Sequence, residues 1–485
     1  MSTHYDVIIV GSGAGGSAAA NHLVRAGLSV ALVEKGPTLP RDATTLDVQQ
    51  VVHEGRFKST ELWQDGGGRQ LMPEEYFNLG GKTKWYGAAL LRYAPGEMDA
   101  DAGHQCSAWP IGYADLAGFY DEAEQMLGVR EFKCEPGLAR ISDTLLRRSP
   151  GWRSEALPLG LSERILGEPV EAAHFDGFAS PRGLKSEAES VFLEPVRHRP
   201  NFELHTGVPV TELIGRSDDP ATIEGVRLDD GRVLLARIVL LAAGALHSPR
   251  LLQRYLESSG LAKRLPCYDS VGRNLKMHLL TAVVAVSSRR IEDAIRKTRI
   301  FTHTDLPHSS VQPLGFDGEL IGTLIPKVIP RWLARQIGAR SYGFFLQTED
   351  GAHPDNRVRA AASSGGLPVL DYDAARTPTA LAEHARLVRR FRADLLRAGL
   401  LAFSQRIGLA GTAHVSGTLS AGADPTNSVV DSNGLVHGLS ALYVVDGSVL
   451  PRSSRVNPSL TIYAWSMRVA RRLGVELTQR VERRA

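Results

Sequence analysis

Residues 5–36 read YDVIIVGSGAGGSAAANHLVRAGLSVALVEKG, and this stretch decides the fold. Tyr5 to Val10 is apolar and β-branched, as a buried strand requires, and it stops at Gly11. Ser17 to Ala26 is rich in small, helix-compatible residues, and Leu28 to Glu34 is a second apolar strand. Strand, glycine turn, helix and strand make one βαβ unit, with Gly11, Gly13 and Gly16 in a G-x-G-x-x-G frame. Gly11 allows the tight turn, Gly13 lets backbone N–H groups approach a pyrophosphate at the helix N-terminus, and Gly16 lets helix and strand pack closely. Glu34 stands 23 residues after Gly11, at the end of the second strand, where an acid accepts hydrogen bonds from ribose hydroxyls. The unit predicts dinucleotide binding.

Beyond it the periodicity weakens between residues 40 and 200, where Gly66-Gly67-Gly68, Gly80-Gly81 and Pro136-Gly137 interrupt the pattern. Helices are expected over Tyr113–Leu127 and Ser186–Val196. Strand character returns at Phe202–Thr206, Val208–Ile214, Thr222–Leu228 and Val233–Ala243. The last of these runs through Gly244 into a helix from Arg250, which brings Ala243 and Gly244 backbone near a cofactor; on spacing alone a plain strand-to-helix turn reads equally well. Residues 281–403 contain strand-like Thr281–Val286, Leu320–Ile325 and Tyr342–Leu346. They also hold an amphipathic helix, Leu381–Leu401, whose Arg390, Arg392 and Arg397 are expected to face water. Short strands at Ser428–Asp431, Leu435–Gly438 and Leu442–Val445 precede a closing helix, Leu460–Leu473. A single glycine fingerprint at the N-terminus, with its sheet completed hundreds of residues later, fits a discontinuous FAD domain better than a compact NAD domain.

Composition sets outer limits. The chain has 485 residues, 43% of them hydrophobic, enough for two to four folded units with sizeable cores. Lys and Arg number 56 against 53 Asp and Glu, a formal charge of +3, without the strong basic excess of a nucleic-acid binder. Cys106, Cys134 and Cys267 are odd in number and form no C-x-x-C pair, so no disulfide framework and no metal site is expected. A reducing, cytoplasmic setting follows as the expectation. No run approaches about 18 uninterrupted apolar residues, so no membrane span is expected. The basic C-terminal end, with Arg472, Arg480, Arg483 and Arg484, reads as a solvated helix end.

Taken together, these segments resemble the glucose–methanol–choline (GMC) family of FAD-dependent oxidoreductases over nearly the whole chain. The N-terminal unit is similar to that family's FAD motif, Asn78 to Arg92 (NLGGKTKWYGAALLR) to its flavin-side glycine segment, and Ala242 to Leu252 (AAGALHSPRLL) to its second signature. Val271 to His278 (VGRNLKMH) also fits. The most specific block is C-terminal, from His414-Val-Ser-Gly-Thr418 through Asp446-Gly447-Ser448 to Asn457-Pro458-Ser459-Leu460-Thr461, in the family's order. The resemblance implies that His414 acts as general base on an alcohol while the carbinol hydrogen leaves as hydride to flavin N5. It implies that Asn457 donates a hydrogen bond to the developing alkoxide. It also implies FAD contacts at Gly11, Gly13, Ala14, Gly15, Gly16, Glu34, Lys35, Gly81, Thr83, Val210, Ala243, Gly244, Asp446, Gly447, Asn457, Pro458 and Ser459. His247 and His437 are read as structural.

Some family members tether FAD through a histidine where this chain has Trp85, so a non-covalent FAD is expected. Lys82-Thr83-Lys84 replaces the family's small, serine-rich sequence, and Ser420-Ala421-Gly422 replaces its usual methionine-glycine. The W-Y-G segment and the Asn partner look closest to bacterial sugar-oxidising branches resembling pyranose and glycoside oxidases. The implied fold is α/β: a discontinuous Rossmann-like FAD domain from residues 1–100, 200–280 and 405–485, and an α+β substrate domain from 101–199 and 281–404. The implied reaction is oxidation of CH–OH to a carbonyl on a sugar, glycoside or aminoglycoside-type polyol, with electrons passing to dioxygen or another acceptor. A sterol or simple alcohol as substrate, a redox-neutral FAD-containing lyase, and a flavin-binding scaffold without turnover stay open.

Overall fold

A computed structural model describes residues 4–326, 328–363, 365–411 and 414–482; Arg483 and Arg484 of the basic end lie outside them. The first sheet contains β1 (His4–Val10), β2 (Val30–Glu34), β3 (Phe202–Thr206), β4 (Val210–Gly215), β5 (Ile223–Leu228), β6 (Val233–Leu241) and β7 (Leu442–Val444). Its spatial order is β3-β2-β1-β6-β5-β4. The strands β3, β2, β1 and β6 run parallel, with Val7 opposite both Val30 and Ile238. β6 pairs antiparallel with β5 at its N-terminal half and parallel with β7 at its C-terminal half. A sheet covered on both faces needs unbroken apolar strands, and Val7, Ile8 and Ile9 are fully buried, as are Val30, Ala31 and Leu32.

The helix Ala14–Arg25 packs against the closing helix Ser459–Glu482, which in turn packs against the helix Ala114–Met126. The chain leaves β1 toward β2 on one side, and β6 is added on the other. A crevice at the C-terminal strand ends follows from that reversal. The turns after β1, β2, β6 and β7 all open onto it.

The second sheet is antiparallel, in the order Leu401–Arg406, Leu279–Val286, Ser341–Thr348, Leu306–Pro313, Arg299–His303 and Trp152–Ala156. The helix Pro378–Arg397 lies on it, burying Leu387, Phe391 and Leu395 against Val283, Phe344 and Leu346. Its Arg390 and Arg397 are largely exposed, and both reach back to the buried Asp394 at 3.1 and 2.6 Å. A small four-stranded sheet joins Trp63–Asp65 and Gln70–Leu71 to Val369–Asp371 and Arg357–Arg359.

Three local expectations need correction. Leu320–Ile325 is not a strand: Gly318–Leu324 is helical, capped by Asp317, whose side chain accepts from the Leu320 N–H at 2.8 Å. Glycine lets that helix pack closely on the adjoining helix Arg331–Gly338, because a Cβ on Gly338 would sit 2.1 Å from the Gly318 carbonyl oxygen. Ser186–Val196 forms a single π turn at Glu189–Leu193 and a 3-10 turn at Glu194–Val196, where Pro195 has no N–H to offer an α-helix. Ser428–Asp431 and Leu435–Gly438 make isolated bridges, among them Val430 with Val436, rather than strands.

Candidate active site

The crevice encloses a cavity of about 780 Å³. One wall is the glycine turn. Gly11 has φ +104°, and a Cβ there would lie 2.4 Å from the Ala242 carbonyl oxygen. At Gly15 a Cβ would lie 1.9 Å from the Val445 carbonyl oxygen, so this glycine lets the helix meet the chain after β7. Gly13 differs: it lines the cavity, and a Cβ built on it meets nothing within 4 Å. Gly16 is off the cavity wall, its hydrogen facing the Gly11 carbonyl at a distance that leaves no room for a side chain. The other proposed cofactor residues all line the cavity.

Several of their side chains are already engaged within the protein. The Glu34 carboxylate takes hydrogen bonds from the Ser12 N–H at 3.0 Å, the Ser12 hydroxyl at 2.6 Å and the Gly36 N–H at 2.8 Å. It therefore staples the glycine turn and keeps one acceptor direction on Oε1 for a ligand. Burial pushes its pKa up against those donors. Asp446 accepts from the Gly244 N–H at 2.8 Å, the Ser248 hydroxyl at 2.5 Å, and the N–H and hydroxyl of Ser448 at 2.9 and 2.5 Å. With four donors on two oxygens it clamps the turn after β6 to the turn after β7. Lys35 lies 3.8 Å above the Phe77 ring and donates to Glu61 at 2.9 Å. The Thr83 hydroxyl donates to the Gly80 carbonyl at 2.6 Å and accepts from Ala188 at 3.0 Å. The cationic replacement beside it is neutralised, Lys84 by Glu187 and Glu189, and Lys82 by Glu75.

At the opposite wall stand His414 and Asn457 with Gln312, Phe345 and Gln347 from the second sheet. His414 has a left-handed backbone, φ +59°. Its Nε2 accepts from the Asn457 amide at 3.2 Å, and Asn457 Oδ1 accepts from the Gln312 amide at 2.7 Å. On its other side, Nδ1 lies 2.7 Å from Nδ1 of His278. Burial, helped first by the neighbouring His278 and then by the charges of Lys297 and Lys82, holds His414 well below the usual histidine range, so it is neutral at pH 7. A neutral imidazole beside an amide donor, both lining the cavity, can take a proton from an alcohol. The sequence did not single out Gln312 or His278 for this cluster, and no motif marks Gln312. His278 ended a matched segment, but nothing in that segment placed it beside His414.

His437 is structural, its ring against the Gly422 carbonyl at 3.1 Å and the Ser428 hydroxyl at 3.2 Å. His247 lines the cavity edge, packed by Trp63 and Phe77, and burial drives its pKa to about 3. Trp85 is buried against Tyr76 and Phe57, its indole N–H donating to Asn78 at 2.9 Å. Cys106, His308 and Glu349 bring ligand atoms within 4.8 Å of one another, but Glu349 is paired with Arg452 at 2.7 Å and with His308 at 2.9 Å. That is an internal ion-pair network rather than a vacant metal cage. Among the described residues no helix is long and apolar enough to cross a membrane.

Buried neutral histidines also set an acid limit. His247 and His384, the latter lowered to about 4 by burial, stay neutral in the fold where the unfolded chain takes up a proton below about pH 6.5. Each therefore removes about 1.4 kcal/mol of stability per pH unit below that point. Asp350, raised to about 6 by burial, acts with the opposite sign from there down to its unfolded value and offsets one of the two. The urea midpoint is expected to be lower at pH 5 than at pH 7; equal midpoints would show that these histidines are protonated in the fold.

Comparison with known proteins adds the following. Family models described as GMC oxidoreductase match residues 5–280 and 352–466. Paromamine 6'-oxidase of Streptomyces fradiae and 6'''-hydroxyparomomycin C oxidase of Streptomyces lividus are each 31% identical, over 98% of this chain and 92% of theirs. The crystal structure of pyridoxine 4-oxidase from Mesorbium loti superposes with a TM-score of 0.66 at 17% identity, over 96% of this chain and 98% of that one.

Proposed function

The chain belongs to the GMC oxidoreductase family, and from that premise we propose that it oxidises a CH–OH group of a sugar-like polyol, an aminoglycoside-type alcohol above all, using non-covalently held FAD. The observation that carries this reading is the bare Nε2 of a neutral, buried His414 beside Asn457, in the same cavity as the glycine turn. The two relatives named for paromamine and 6'''-hydroxyparomomycin C support the substrate class.

The cavity suits a dinucleotide. Gly13 and Gly244 leave open space where side chains would stand, and the helix beginning at Ala14 points its N-terminal N–H groups into the same region. Bound FAD would supply the two-electron acceptor. The protein's part is proton and position. His414 Nε2 takes the hydroxyl proton, the Asn457 amide donates to the alcohol oxygen as it gains charge, and the second-sheet wall excludes water. Strands at 4–34, 202–241 and 442–444 support an FAD domain from residues 1–100, 200–280 and 405–485, and those between Leu279 and Arg406 support a substrate domain from 101–199 and 281–404.

Two experiments test this. Anaerobic addition of aminoglycosides, sugars, glycosides, sterols and simple alcohols is expected to bleach the flavin with the aminoglycoside-type polyol. Readmitted air then separates an oxidase from a dehydrogenase. Bound flavin that no alcohol bleaches would favour the lyase or scaffold reading. With Trp85 in the tether position and buried in its own aromatic stack, acid or heat denaturation is expected to release all the yellow chromophore into the filtrate. Colour left on the precipitated protein would mean a covalent link.

A further inference from the structure

We propose that His278 is a positioning residue that holds His414 in the one tautomer able to accept a proton at Nε2; this rests on the reading of His414 as the base. The Ser454 carbonyl can only accept, and His278 Nε2 lies 2.8 Å from it, so that nitrogen carries the hydrogen. His278 is buried, and burial lowers its pKa, so the ring is neutral and its Nδ1 is bare. His414 Nδ1, 2.7 Å away, must therefore be the donor. A neutral His414 then has no hydrogen on Nε2, which is the nitrogen facing Asn457 and the cavity. Farther out, Asn457 turns its NH2 to His414 and its oxygen to Gln312.

The alternative tautomer is disfavoured by geometry. It would set two bare Nδ1 atoms 2.7 Å apart and force the Asn457 amide to flip against Gln312. The carbonyl that starts the chain is itself firmly aimed. Ser454 is held at φ +62° by its N–H donating to Glu349 at 3.0 Å and its hydroxyl donating to Glu97 at 2.7 Å. Glu349 is in turn fixed by the Arg452 guanidinium at 2.7 and 2.9 Å. The two imidazoles meet nearly at right angles, 88°, which lets the His414 N–H enter the plane of the His278 ring, where its lone pair lies. The signal in the sequence is faint because residues 278 and 414 are joined only by the fold.

The test compares His278→Phe with His278→Gln in the flavin-loaded enzyme and reads tautomers separately. Phe offers no acceptor, and flavin reduction is expected to slow by at least about a hundredfold, toward the about ten-thousandfold loss of a catalytic histidine fixed in its wrong tautomer, with little change in apparent substrate affinity. Gln offers an oxygen toward His414 and an NH2 toward Ser454, and is expected to recover the rate to within about tenfold of the natural enzyme. In a His414→Ala background, His278→Phe is expected to cost less than about twofold more, because its effect passes through His414. An equal loss in both backgrounds would make His278 merely structural and overturn the proposal. Nitrogen-15 spectra of histidine-labelled full-length protein, with and without FAD, should show His414 protonated on Nδ1 and bare on Nε2, its signals assigned by their loss in His414→Ala. A hydrogen on Nε2 in the natural protein would also overturn it. A small effect of His414→Ala on rate would instead remove the base reading, and the spectra would still decide the tautomer.

Discussion

His414→Ala is expected to slow flavin reduction by substrate by about two to four decades, the range for removing a positioned general base. The expectation follows from the absence of a substitute in the geometry described. Asn457 and Gln312 are amides that do not titrate, and His278, whose bare Nδ1 faces His414 Nδ1, is not among the residues that line the cavity. Removing the imidazole leaves the alcohol proton to water, a far weaker base than a positioned imidazole. Flavin content and thermal midpoint should stay near those of the natural protein, because the chain after His414 is tied by backbone bonds of Ser416 with Lys276 and of Gly417 with Gly447 rather than by the ring itself. A loss under about tenfold would sink the assignment of His414 as base. The pH profile gives an independent check. Since the His414 pKa lies well below the ordinary value of 6.5, its neutral form is already full at neutral pH. The rate of flavin reduction should not rise between pH 6.5 and pH 8; a rise of about tenfold would mean that a different group takes the proton.

The parallel half of the first sheet was legible because burial on both faces demands uninterrupted apolar runs, and residues 7–10 and 30–33 supply them. Glycine chemistry was legible for the same reason: a Cβ at Gly11, Gly15 or Gly16 collides with backbone, so the residue type records the approach. Gly318–Leu324 misled because an apolar segment of that length reads as strand unless its cap is recognised, and Asp317 is a cap only if the next turn is helical. The site divides in the same manner. His414 and Asn457 stand in ordered motifs, and the structure brings their side chains within 3.2 Å. Gln312 sits on an antiparallel strand whose alternation says only which face it occupies, and its partner is 145 residues away. Carboxylates were the subtlest case. Their presence at Glu34 and Asp446 was readable, but only the fold reveals that Asp446 is spent on four internal donors while Glu34 keeps an acceptor direction.

Two glycines of the first turn should separate cofactor binding from folding. Gly13 has φ −63° and ψ −168°, a conformation open to any residue, and a side chain there enters the cavity without meeting protein within 4 Å. Gly13→Leu is therefore expected to fold with a cofactor-free stability within about 0.5 kcal/mol of the natural chain, while losing FAD affinity by about a hundredfold or more as the side chain takes the space of the ligand. Gly15→Ala reverses the order of events. Its Cβ would overlap the Val445 carbonyl oxygen at 1.9 Å and approach Asp446 Cα at 3.3 Å, both backbone atoms that cannot rotate away. The helix after β1 must then part from the chain after β7, so expression in soluble form and flavin content are expected to fall together. The comparison has to be made on cofactor-free protein, because bound FAD raises apparent stability by mass action and would make any loss of binding look like a loss of fold. Urea titration of the stripped proteins followed by fluorescence titration with FAD gives both quantities. If Gly13→Leu retains FAD at the natural stoichiometry and affinity, the dinucleotide does not lie against this turn, and the assignment of the cavity falls with it.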